Sequence, residues 1–250
     1  MHILSDPFFI QKAGNTENEY EDAFWPRKRI DQKASLFRLA VADGATETSF
    51  SGLWARLLVR AYCKGEFSPG SWSRNFCRLR KQWLYQCANK PLPWYTETKL
   101  KQGAYSSLLG LTLKAEGDGR EGYWHALAIG DSCVFQVRGD SVLAKFPLDR
   151  SEQFNNRPIL LGSTSGTTEV SFAAFQATSS RWEAGDSFYL MTDAVAAWFL
   201  KGVELGGTSW QIIRDLSTDS ADFADWVSAL RFKGELRNDD VTLVRIDTAY

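Results

Sequence analysis

The sequence predicts an α+β protein built from antiparallel sheets layered with helices, and three observations support that reading. Two amphipathic helical stretches fall early, alternating apolar strands dominate the middle, and short helical stretches with one closing strand fill the end. Elements segregated in this way favour antiparallel layers over regular βαβ units. The 250 residues suffice for a sizeable core, and residues 1–250 are read as one domain.

Taken in order, residues 7–12 (PFFIQK) and 36–43 (LFRLAVAD) read as strands. A helix is expected over 49–64, where Leu53, Trp54, Leu57, Leu58 and Tyr62 fall at helical spacing. A second is expected over 71–88, with Trp72, Phe76, Leu79 and Trp83 on one face and Arg74, Arg78, Arg80 and Lys81 on a solvated one. Prolines make 90–99 (KPLPWYTETK) an extended connector. Residues 106–115 and 122–131 flank EGDGR, and 132–137 and 141–146 flank Arg138-Gly139-Asp140, so both pairs read as hairpins. Strands follow at 169–177 and 187–193, short helices near 195–201, 208–216 and 219–232, and a last strand at 240–246. Thr208 and Gln211 have capping-box spacing, and Phe223, Trp226, Val227 and Leu230 share one helical face.

Charge and composition narrow the function. The chain is 44% hydrophobic, and 29 basic against 30 acidic residues leave a net charge of −1, so no global field draws it to nucleic acid or an anionic membrane. No targeting or membrane-spanning run stands out, and a cytoplasmic protein is expected. Cys63, Cys77, Cys87 and Cys133 lack CxxC spacing and read as buried free thiols of a reducing compartment. With His2 and His125 as its only histidines, the chain is poorly equipped for a His/Cys zinc site or a Ser-His-Asp triad.

What remains is acidic. An apolar strand ending in a carboxylate recurs at Asp43, Asp131 and Asp193, the pair Asp239-Asp240 precedes the last strand, and Glu21-Asp22 lie in NEYEDAF. One such Asp is a cap or a turn. Several converging from neighbouring strands would repel strongly unless cations sat between them, and hard oxygen donors favour Mg²⁺ or Mn²⁺ over zinc or copper.

Read in sequence, NEYEDAF (18–24), VADGATE (41–47), GAYSSLLGLTL (103–113), IGDS (129–132), AGDSFYLMTDA (184–194) and NDDVTLV (238–244) resemble the signature series of the PP2C-type (PPM) metal-dependent serine/threonine protein phosphatases, from about residue 8 to 247. The resemblance implies an αββα sandwich, with two central, mostly antiparallel β-sheets flanked by helices and the site at one end. It implies hydrolysis of phosphoserine and phosphothreonine in proteins by direct attack of a metal-bridging hydroxide, on two Mg or Mn ions with a third in some members. Asp43 matches the carboxylate that bridges the pair, Gly44 the glycine whose carbonyl binds one ion, and Asp193 and Asp239 the other ligands. Asp43 and Asp193 are then catalytic through the water between the ions. Glu21 and Asp22 match acidic residues that hold metal-bound water, Asp131 a third-ion ligand, and Asp240 stands where Asn is common.

Several positions depart from the resembled pattern. Glu17 replaces an Arg that grips the substrate phosphate, leaving Lys12, or one of Arg27, Lys28 and Arg29, as the expected substitute. Asp193-Ala194 replaces Asp-Gly, Ala45 stands where some members have a histidine general acid, GDSC replaces GDSR, and 146–186 has no clear flap counterpart. These departures keep an alternative open: a catalytically weak or inactive pseudophosphatase acting as a phospho-dependent binding module. The expected partners are a phosphorylated protein substrate and a cognate Ser/Thr kinase, with no nucleic acid, no membrane and a monomeric state.

Overall fold

Period-two alternation along the strands sorts apolar side chains to both faces of two sheets, and each face finds its own partner. The computed structural model describes residues 1–46, 48, 50–88, 102–154, 157–164 and 172–249. Its strands and helices are β1 (His2–Ile10), β2 (Ala23–Trp25), β3 (Ile30–Lys33), β4 (Leu36–Ala42), α1 (Ser51–Cys63), α2 (Trp72–Ala88), β5 (Tyr105–Ser106), β6 (Leu108–Glu116), β7 (Glu121–Ile129), β8 (Cys133–Arg138), β9 (Ser141–Phe146), β10 (Leu161–Gly162), β11 (Gln176–Glu183), β12 (Asp186–Met191), α3 (Asp193–Glu204), α4 (Ser209–Asp215), α5 (Ser220–Phe232) and β13 (Val241–Ala249). One sheet has the order β3-β1-β13-β12-β8-β9, the other β11-β7-β6-β4-β2, and β5 pairs with β10.

Large side chains fill the space between the two main sheets. Phe37, Leu39 and Val41 of β4 and Leu109, Leu111 and Leu113 of β6 meet Phe188 and Leu190 of β12 and Val244 and Ile246 of β13. The opposite face of β4 carries Ala40 and Ala42, small enough for Trp54 and Leu58 of α1 to sit against the sheet, with Trp83 of α2 in the same cluster. At Gly110 of β6 the approach is closer still, since a Cβ there would stand 2.2 Å from the Tyr62 ring. On the far side, Phe135, Tyr189 and Leu243 receive Phe199, Ile213 and Val227 of α3–α5. Each fully buried aromatic or aliphatic side chain contributes roughly 1.5–3 kcal/mol of transfer free energy, and these layers make the αββα sandwich.

One polar network spans the sheets. Trp124 Nε1 of β7 donates to Gln136 Oε1 of β8 (2.8 Å), and Gln136 Nε2 donates to Asp186 Oδ2 (2.7 Å). Asp186, wholly buried, also accepts from Arg138 Nε (2.5 Å), Arg138 Nη2 (2.9 Å) and the Glu183 backbone N–H (3.0 Å). A buried carboxylate is tolerated there because both oxygens accept hydrogen bonds and the Arg138 guanidinium balances the charge.

Several element ends differ from the sequence expectation. β1 runs from His2 rather than residue 7 and stops at Ile10, because its pairing with β13, from His2↔Ala249 to Ile10↔Val241, sets its length. β2 and β3, with three and four residues, are too short to show alternation. The strand expected at 169–177 is instead β11; Phe172–Ala174 form a 3₁₀ turn, and the polar, largely exposed QATSSRWE is an edge strand without an apolar face. Arg80 is buried, donating to Gly162 O (3.2 Å) with its guanidinium over Phe76, so it leaves the solvated stripe of α2. Thr208 makes no side-chain cap, and Gln211 Nε2 donates to Asp140 Oδ1 (3.1 Å). Cys87 and Cys133 are buried, whereas Cys77 is exposed. The connector expected at 90–99 lies outside the described residues. Among the described residues no helix is long and apolar enough to cross a membrane.

Replacing Asp186 by Ala removes one of the two acceptors of Gln136 Nε2, leaving Arg181 O, and breaks the Arg138 fork. A loss of about 2–4 kcal/mol in urea-denaturation stability is expected, with Asp186→Asn losing less.

Candidate metal centre

Antiparallel pairing brings the acidic residues to one edge of the sandwich. β4 and β7 flank β6 antiparallel, so both end on the same side and deliver Asp43 and Asp131 there. β2 pairs with β4 from Ala23↔Ala42, which places Asp22 beside that end. In the other sheet, β12 leaves at Met191 opposite Leu243 of β13, so Asp193 on the first turn of α3 lies near Asp239, just ahead of β13. β1 ends at Ile10↔Val241, bringing Lys12 to the same edge.

Oxygen atoms of Asp43, Asp131 and Asp193 all lie within 4.8 Å of one another. Together with Lys12, Ala45, Tyr105, Arg157, Arg237 and Asp239 they line a cavity of about 650 Å³. Burial first, then the negative charge of Asp22, Asp193, Asp131 and Asp239, holds the Asp43 carboxyl well above the ordinary carboxylate range. Burial and then the Asp193 charge push Asp131 up to about 7. Burial also raises Asp193, with Arg237 acting against it. Asp22 lies deepest: Oδ2 accepts from Thr192 Oγ1 (2.9 Å) and Thr242 Oγ1 (2.7 Å), while buried Oδ1 has no hydrogen-bond partner. An orphaned carboxylate oxygen behind a cluster of hard oxygen donors fits a divalent cation such as Mg²⁺ or Mn²⁺.

The surrounding backbone is held tightly. Asp43 N–H donates to Ser107 Oγ (2.9 Å), Ser107 N–H returns a bond to Asp43 O (2.8 Å), and Ser107 Oγ meets Ser132 Oγ at 2.9 Å. Gly44 is required sterically, since a Cβ there would stand 2.7 Å from Glu21 O and 2.8 Å from the Ser51 carbonyl carbon. Phe50, at φ 63°, is the one described non-glycine residue in the left-handed region; it turns the chain into α1, where Ser51 Oγ donates to Glu21 Oε1. Asp240 accepts from Lys12 N–H (2.8 Å) and Glu21 N–H (2.6 Å), so it pins both loops.

The residues singled out by sequence therefore divide. Asp43, Asp131, Asp193, Asp239 and Lys12 line the cavity; Gly44 and Asp22 lie directly behind it; Glu21 is held by Ser51 beside α1. Glu17 lines a different cavity with Phe8, Phe9, Tyr20 and Arg27. Arg27 sits over the Phe9 and Phe24 rings, Arg29 pairs with Asp6 (3.0 Å), and neither these nor Lys28 lines the acidic cavity. Ala194 falls in α3 with negative φ, so a side chain at this position brings no backbone strain. Two cations of the cavity, Arg157 and Arg237, carried no sequence signal beyond Arg237 standing two residues before Asp239.

The chain is similar to known proteins in sequence and in fold. The sequence profile described as Protein phosphatase 2C matches residues 15–233. The fold is similar to the Mycobacterium tuberculosis serine/threonine phosphatase PstP/Ppp (TM-score 0.60, 15% identity, covering 100% of both chains). It is also similar to the PstP catalytic domain in complex with two manganese ions (0.55, 15%, 99% of this chain and 100% of that one). A third similar structure is PppA, a regulatory component of T6SS in Pseudomonas aeruginosa (0.56, 17%, 99% and 98%). No curated protein matches the sequence.

The raised carboxyl of Asp131 gives a pH signature in the metal-free protein. Its folded-state value lies above its unfolded one, so the native state binds the proton more tightly and stability falls as pH rises from about 4 towards about 7. Asp131→Asn is expected to raise the melting temperature of the EDTA-treated protein by several degrees at pH 8, a gain that shrinks as pH falls towards 4.

Proposed function

Because the chain belongs to the protein phosphatase 2C family, we propose that it hydrolyses phosphoserine and phosphothreonine in proteins at the carboxylate cavity, with Mg²⁺ or Mn²⁺ as cofactor. The observation that carries the proposal is the convergence of Asp43, Asp131 and Asp193 from three separate elements. Structures of PstP with two manganese ions and of RsbX with magnesium support the choice of metal.

Asp43, Asp193 and Asp239, with the Gly44 carbonyl, are the residues that would hold two ions; Asp131 would serve a third, with Asp22 and Glu21 behind them. Such ions supply charge neutralisation for a bound phosphate and a water acidic enough to ionise near neutral pH. The chain's own part is positional. Ser107 fixes the backbone of Asp43, Asp240 fixes the loops of Lys12 and Glu21, and the Thr192 and Thr242 hydroxyls orient Asp22. Lys12, Arg157 and Arg237 supply positive charge along the cavity wall for a phosphorylated residue. Among the described residues no histidine lines the cavity. A phosphorylated protein is the substrate class, and a Ser/Thr kinase is the enzyme that must supply it.

Mn²⁺-stimulated hydrolysis of p-nitrophenyl phosphate is expected, abolished by EDTA and reduced about 100-fold or more by Asp43→Ala or Asp193→Ala. Circular dichroism of both variants should match wild type, because removing one clustered charge relieves repulsion. Phosphopeptide binding without turnover across Mg²⁺ and Mn²⁺ titrations would instead identify a pseudophosphatase.

A further inference from the structure

Arg237, one of the described cations on the cavity wall, is bonded to carboxylates assigned above to metal. Its Nη2 donates to Asp193 Oδ2 and lies 3.6 Å from Asp239 Oδ2. We propose that Arg237 serves two roles in turn: it neutralises Asp193 and Asp239 while they hold no metal, and, displaced when a divalent ion takes those oxygens, it binds the phosphate group of the substrate. The proposal rests on the phosphatase reading of the cavity.

Three features of the structure support it. Arg237 Nη2 already occupies Asp193 Oδ2, and a divalent ion held by Asp193 would also be positive, so the bound side chain would oppose metal entry. The backbone of Arg237 is anchored, while its side chain reaches into the cavity. Asp239 N–H donates to Arg237 O (3.0 Å), and Arg231 ties the segment down through Asp239 O (2.5 Å) and Gln11 O (3.2 Å). The Arg237 side chain itself is 47% exposed and lines the cavity. A planar five-donor fork suits a phosphate that offers paired oxygens. The third feature is a vacancy in the charge pattern: Glu17 and Arg27 line another cavity, and Arg29 is engaged with Asp6. A phosphate entering beside Asp43 therefore meets neither Arg27 nor Arg29, and among the described residues Lys12, Arg157 and Arg237 are the cations on the cavity wall.

The two roles predict effects of opposite sign. Calorimetry of Mn²⁺ binding to the metal-free protein should show Arg237→Ala binding the ion about fivefold or more tighter than wild type. The Mn²⁺-loaded variant should bind inorganic phosphate about tenfold or more weaker. Its metal-free melting temperature should fall. Arg237→Lys retains the charge without the fork, so it should keep wild-type Mn²⁺ affinity while losing part of the phosphate affinity. Mn²⁺ affinity unchanged or weakened in Arg237→Ala, or phosphate affinity unchanged, overturns the proposal alone. A wild-type protein that takes up no Mn²⁺ overturns the phosphatase reading and the proposal with it.

Discussion

Carboxylates crowded into one partly buried cavity repel each other, and the geometry around them is organised to hold them in place against that repulsion. Asp43, Asp131 and Asp193 cannot drift apart because each leaves a strand or enters a helix whose other residues are locked in the core. The joints between core and cavity are stiff as well. Gly44 lets α1 and the Glu21 backbone press against the turn after β4, Phe50 accepts a left-handed backbone to start that helix, and the Ser107–Ser132 pair ties the ends of β4 and β7 together. Repulsion so constrained becomes an affinity for cations, because any positive group that enters relieves it.

The antiparallel sandwich is well suited to this task. Each reversal of strand direction returns the chain to the same edge, so alternate strand ends accumulate there without long connections. The apolar layers on both faces of both sheets supply the stability that a cluster of buried charges removes. Small residues where helices rest on a sheet, and large ones between the sheets, fix the spacing of the layers and with it the distance between Asp43 and Asp193.

Much of this is legible in the sequence, and what is not has a physical reason. α1 and α2 show clear periodicity because one face of each is buried, and the two central hairpins stand out as apolar strands flanking polar turns. β2 and β3 escape notice because three or four residues carry no period, and β11 because an exposed edge strand needs no apolar side chains. The carboxylates could be found because a charge at the end of an apolar strand is conspicuous. Arg237 could not, since a lone Arg in a polar turn looks the same whether it faces water or Asp193. Likewise Lys12 could be placed at the cavity only once β1 was seen to end beside the start of β13.

Asp240 joins parts of the chain that are far apart in synthesis: its side chain holds Lys12 and Glu21, 228 and 219 residues away. β1 pairs early with β3 but lacks its second partner until β13 has been made. A polypeptide still emerging from the ribosome can therefore fold its central hairpins early but carries no assembled site. Loss of Asp240 and the strand after it would remove the clamp on residues at the beginning, so the two ends of the chain assemble this edge of the sandwich together or not at all.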